Sequence, residues 1–226
     1  RQWTNKIKGR AYHRDLAEAR IVSCPDASLD GRTFAEVAAA RGADPVEVFL
    51  DLQATYGNDL RWYTVVGNTD PAAVAWIVEH PQAQIGFSDA GAHLRNMAFY
   101  NFPLHLLRLV RRRQEQGRDV LPLGRAVHRV TGELADYLGV DAGRLAVGAR
   151  ADVVIIDPEA LDDRIDEVVE APMPGIDAVH RLVNRGDGVV RAVLVNGRVA
   201  WDVDGRAPGF GVEPGFGRVL RNVRGR

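Results

Sequence analysis

The sequence predicts an α/β fold, and three observations carry that reading. First, a β-branched run, LRWYTVVGN at 60–68, a helix-patterned stretch, AAVAWIVEH at 72–80, and a second apolar run, AQIGFSD at 83–89, follow one another as strand, helix and strand. A βαβ unit implies parallel neighbours joined by a right-handed crossover. Second, the later run stops abruptly on Ser88 and Asp89, and third, the chain turns strand-rich past residue 145. Parallel strands are buried on both faces, so the first polar residue beyond an apolar run emerges at the C-terminal rim, where α/β enzymes place their chemistry.

Taken in order, ARIVSC at 19–24 reads as a short strand leading into a loop. Thr33 and Glu36 make a capping box, and Phe34, Val37 and Ala38 give a helical apolar stripe that stops at Gly42. Asp44, Pro45 and Glu47 start a second helix. Its apolar positions Val46, Phe49, Leu50 and Ala54 recur at helical spacing, and Gly57 stands where a left-handed cap is wanted. Asp70 caps and Pro71 begins the helix between the two predicted strands.

After Asp89 comes a loop, AGAHLRNMAFYN, and then a helix, FPLHLLRLVRRRQEQG, apolar at Leu104, Leu107 and Val110. Another helix, LGRAVHRVT, breaks at Gly132 and continues briefly as LADYLG. The runs RADVVIID and RAVLVNGRVAWDVDG read as strands, and Asn196-Gly197 between alternating residues is a strong hairpin signal. A domain boundary is expected near 140–145, dividing the chain into 1–144 and 145–226.

Composition narrows the partners. With 29 Lys and Arg against 30 Asp and Glu, the net charge is −1, which argues against nucleic acid and against a broad acidic membrane surface. The basic runs at 111–113 and 218–226 read as solvated charge. A lone cysteine, Cys24, excludes an internal disulfide framework and reads as a small packing residue. With no apolar run of ~18 residues and no signal-peptide pattern, a cytoplasmic location is expected. The chain opens on Arg1 rather than on Met.

The stretches HPQAQIGFSDAGAH, FPLHLLRLVR, LGRAVHRVTGELADYLGV, RLAVGARADVVIIDP and AVLVNGRVAW, with a late PGFGRVLR, occur in that order over about residues 16–221. In order and spacing they resemble the metal-dependent amidohydrolases, and within them the N-acyl-D-amino-acid deacylase group, over its C-terminal portion. The resemblance implies the C-terminal part of a TIM-like (β/α)8 barrel followed by strands of a small β-sandwich. LRWYTVVGN would be the seventh barrel strand, and AQIGFSD the eighth, ending on an aspartate that touches the metal or its water. By position that aspartate is Asp89.

The chemistry so implied is hydrolysis of a linear amide, an N-acyl (D-)amino acid, with zinc as one or two ions. Asp89 would take a proton from the attacking water and pass it to the leaving nitrogen, a general-base role worth roughly 100- to 10,000-fold. A catalytic zinc site needs about three protein ligands, and the family places most of them on earlier strands, beginning with His-x-His. Neither His-x-His nor HExxH occurs here, and the six histidines are at least twelve residues apart. A full barrel takes ~250 residues. Most zinc ligands are therefore expected outside this chain, in a missing N-terminal half, and the chain alone is expected to be inactive. Open strand edges also point to a homo-oligomer.

Three residues of the rim segment are candidates. Asp89 is the catalytic and metal-contacting one, against the plainer reading of a loop or helix cap. His93 is either a substrate contact or a loop histidine bonding backbone. Arg95 matches the arginine of a family tripeptide resembling His-Pro-Arg, whose guanidinium suits a substrate carboxylate. Here the tripeptide is His93-Leu94-Arg95, and Leu104 stands where the family tends to carry an arginine after Phe-Pro. His80, His105, His128 and His180 read as structural. Two alternatives stand beside the deacylase: a hydrolase of cyclic amides such as hydantoins or dihydropyrimidines, and a non-catalytic oligomerisation module. In either enzyme reading the partner is a small-molecule amide.

Overall fold

The computed structural model describes residues 15–222 except 66, 87, 89–92, 96–99, 119, 174, 175, 177 and 185. Its contacts divide the chain into two units, 1–75 and 76–226.

In the first unit, β1 (Arg20–Ser23) pairs antiparallel with β2 (Arg61–Tyr63), Ile21 lying opposite Trp62. Between them run α1 (Phe34–Arg41) and α2 (Pro45–Tyr56). The sequence dictates α1 closely. Thr33 Oγ1 accepts from the Glu36 N–H at 3.1 Å, Glu36 returns a carboxylate oxygen to the Thr33 N–H at 2.7 Å, and Gly42 closes the helix in the left-handed region. Asp44 caps α2 by accepting from the Val46 N–H at 2.8 Å. Gly57 has positive φ but is not a left-handed cap, its ψ being −121°, because the chain passes straight into a 3-10 turn over Gly57–Asp59. Phe34, Phe49 and Trp62 meet edge to face at centroid distances of 5.4 to 6.2 Å over the buried Ile21, Val37, Val48 and Leu52.

The helix α3 (Pro71–Glu79) follows, with Asp70 accepting from the Ala72 N–H at 2.8 Å. Two expectations are corrected here. The strand expected over 60–68 is only three residues long and pairs antiparallel with β1. The described residues of 83–88 form no strand. A parallel strand exists only through ladders with its neighbours, and no described strand is hydrogen-bonded to this segment.

The second unit continues with α4 (Phe102–Glu115), α5 (Leu123–Arg129) and α6 (Gly132–Leu138). Then come β3 (Val153–Ile156), β4 (Val168–Pro172), β5 (His180–Asn184), β6 (Val190–Val195), β7 (Arg198–Asp202) and β8 (Gly205–Arg206). β3, β6, β7 and β8 form one antiparallel sheet in that order, and β4 pairs with β5 in another. The Asn196-Gly197 turn joins β6 to β7 with φ of 53° and 80°, as a two-residue hairpin requires. The Gly132 break is also found: Gly132 opens α6, and Gly143 packs so closely beneath it that an added Cβ would lie 2.6 Å from the Thr131 carbonyl carbon. Among the described residues no helix is long and apolar enough to cross a membrane.

Candidate active site

The site builds up around the segment that follows α3. Its entry is gripped by Arg129, on the buried face of α5 one turn after Ala126 and 1% exposed. The guanidinium donates to the carbonyls of Val78 at 2.5 Å, His80 at 3.0 Å and Ala83. Its charge is balanced by Glu133, one turn on, at 3.5 Å, and Glu133 also holds Arg125 at 2.5 Å. A buried cation persists only when paired and hydrogen-bonded, and the end of α3 and the turn after it supply those acceptors. His80 adds a local brace, its ring tilted 50° against that of Trp76 at a centroid distance of 4.7 Å and its Nδ1 accepting from the Gln82 N–H.

The exit is held by the β4–β5 hairpin. The Leu182 N–H donates to the Leu94 carbonyl at 2.8 Å, and the Arg95 guanidinium lies 3.7 Å from Glu170. Arg181 stands over the Tyr100 ring at 5.9 Å, and Asn101 donates to the Ile165 carbonyl at 3.0 Å. Beyond it, α4 is tied to the turn at 163–166. Arg108 and Arg112 hydrogen-bond Asp163, holding its carboxyl below the usual carboxylate range, and His105 Nδ1 lies 3.1 Å from Asp166. Burial pushes the His105 imidazole below its ordinary value, and Asp166 only partly opposes this.

Of the residues singled out from sequence, Asp89 lies outside the described residues. His93 and Arg95 are both exposed in the turn that carries Leu94 between them, and Arg95 points to Glu170. Among the described residues, no group of three or more His, Cys, Asp or Glu side chains is set to hold a metal ion. The described part of the chain therefore does not amount to a zinc site, which takes about three such ligands. Sequence reasoning passed over Arg129, Glu170 and Leu182. Arg129 left a signal, an arginine in register with Ala126 on the apolar side of its helix. Glu170 and Leu182 left none, since their roles depend on which hairpin meets the loop.

The geometry can be set beside known proteins. The model of the family described as "Amidohydrolase family" matches residues 4–200. An uncharacterized protein of Mycobacterium tuberculosis is 42% identical over 222 residues, covering 97% of this chain and 36% of its own length, and one of Mycobacterium bovis matches equally. The chain thus spans little more than a third of the length of these curated relatives. Among solved structures, the N-acyl-D-glutamate deacylase of Bordetella bronchiseptica, complexed with zinc and a phosphonate inhibitor, is 27% identical with a TM-score of 0.50, over 91% of this chain and 38% of that one. A D-aminoacylase structure is similar in fold, with a TM-score of 0.50 at 21% identity over 92% of this chain and 39% of its own. The helix-and-sheet architecture expected from sequence thus corresponds to a portion of these enzymes.

Proposed function

Because the chain belongs to the amidohydrolase family, we propose that it forms part of a hydrolase that cleaves a linear amide, an N-acyl (D-)amino acid. The observation that carries this reading is the likeness to the N-acyl-D-glutamate deacylase across nine-tenths of the chain. On this reading, residues 1–144 contribute the last strands and helices of a barrel and 145–226 a small sandwich. The zinc, as one or two ions, is held mostly by residues outside this chain, and the chain alone does not turn over.

Asp89 is the general base. It accepts the proton of the attacking water and returns it to the departing nitrogen, which then leaves as a neutral amine. Arg95 anchors the carboxylate of the substrate, since a guanidinium fork matches a carboxylate in two parallel hydrogen bonds. His93, two residues away in the same exposed turn, contacts the substrate beside it.

The test uses the polypeptide encoded by the whole reading frame, assayed on N-acyl-D-amino acids by release of the free amine. Asp89→Asn keeps the size of the side chain and removes its basicity, so turnover should fall by roughly 100- to 10,000-fold. Turnover within about threefold of the unsubstituted protein would remove Asp89 from the role.

A further inference from the structure

Arg95 has a partner before any substrate arrives. Glu170 and Leu182 stand opposite each other across the β4–β5 ladder. The Leu182 N–H points away from β4, to the Leu94 carbonyl at 2.8 Å, so this rung is of the kind that exchanges no backbone bonds and brings opposed side chains closest. One main-chain bond therefore seats Leu94 on the outer edge of β5. The next residue then presents its guanidinium to the carboxylate of the same rung, at 3.7 Å. Arg181, from the adjacent position of β5, lies over the Tyr100 ring.

The pair is open to water: the Arg95 side chain is 70% exposed and that of Glu170 36%. An exposed ion pair is weak and readily exchanged, so a second carboxylate can replace Glu170 without stripping water from a buried charge. On the reading of Arg95 as the substrate-carboxylate anchor, we infer that Glu170 is a specificity-determining residue. It holds the guanidinium in the free protein, is displaced by the carboxylate of an N-acyl amino acid, and so sets how strongly Arg95 favours carboxylate-bearing amides over uncharged ones.

Steady-state kinetics on the full-reading-frame protein test this with two probes, N-acetyl-D-leucine and its uncharged carboxamide. Glu170→Gln should lower KM for the acid by about two- to fivefold, the span that exposed ion pairs cover. It should leave kcat, and KM for the carboxamide, unchanged. Arg95→Gln should raise KM for the acid by about tenfold, as loss of a charge-assisted contact does. If Arg95→Gln raises that KM while Glu170→Gln leaves it alone, raises it, or lowers KM equally for both probes, the inference about Glu170 is overturned and the role of Arg95 stands. If Arg95→Gln leaves KM unchanged, or the unsubstituted protein cleaves neither probe, the reading of the site fails and the inference falls with it.

Discussion

Replacing Arg129 by methionine should lower the folding stability of the 76–226 unit by about 3 to 5 kcal/mol. Methionine fills most of the arginine's volume, so little of this comes from a cavity. The loss comes from the carbonyls of Val78, His80 and Ala83, each of which gives up a bond from a cationic donor. Such bonds are worth about 1.5 to 3 kcal/mol apiece. Relief of the arginine's own desolvation offsets part of the sum. Glu133 adds little, because Arg125 remains 2.5 Å away and keeps it paired. For a unit of this size each kcal/mol moves Tm by about 2 to 4 °C, so the midpoint should drop by roughly 6 to 20 °C. Denaturant titration followed by far-ultraviolet circular dichroism, with equal slopes for both proteins, measures the difference. Arg129→Lys keeps the charge but not the fork and should fall between the two. A loss below about 1 kcal/mol for Arg129→Met would mean that water satisfies these carbonyls equally well, and the clamp would not be what holds the segment.

Gly143→Ala should cost about 2 to 4 kcal/mol, combining a positive φ of 73° with a Cβ placed 2.6 Å from the Thr131 backbone. Gly148→Ala is the control, having φ of 81° and nothing within 4 Å of an added Cβ; equal losses in thermal unfolding would refute the packing argument. His105 makes stability depend on pH. Burial, chiefly, and then Arg112 push its folded pKa below the ordinary 6.5, with Asp166 opposing. Between that lowered value and 6.5 the unfolded imidazole binds a proton that the folded one does not, so stability should fall as pH drops through this interval and level off beneath it. His105→Gln should flatten this part of the curve, and an unchanged slope would assign it to other groups.

What was legible in the sequence was whatever a few neighbouring residues decide. The Thr33 and Glu36 capping box, the Asp44-Pro45 start and the Asn196-Gly197 turn each settle their geometry within four residues, and each is found. The pairing of β1 with β2 was not legible, because the choice between an antiparallel and a parallel neighbour depends on contacts some forty residues apart. The strand expected at 83–89, which the described residues of that stretch do not form, shows the same limit from the other side. Its apolar pattern is present, but a ladder needs a partner strand that local residues cannot supply. Gly57 marks the helix end in the sequence and in the structure, but it is not the left-handed cap its identity suggests, since the turn that follows decides its ψ. Within the candidate site, the resemblance points to Arg95, whereas Glu170 sits 75 positions later on a hairpin that nothing local ties to it.

The grip of Arg129 has an evolutionary side. Its three acceptors are main-chain oxygens, which every amino acid offers alike. Substitution of the side chains at 78, 80 and 83 therefore removes none of the three acceptors, and only at position 80 does it also take away a side-chain brace, the one His80 makes with Trp76 and Gln82. The constraint of this grip falls on one arginine and its glutamate rather than on the identities of the residues whose carbonyls it holds.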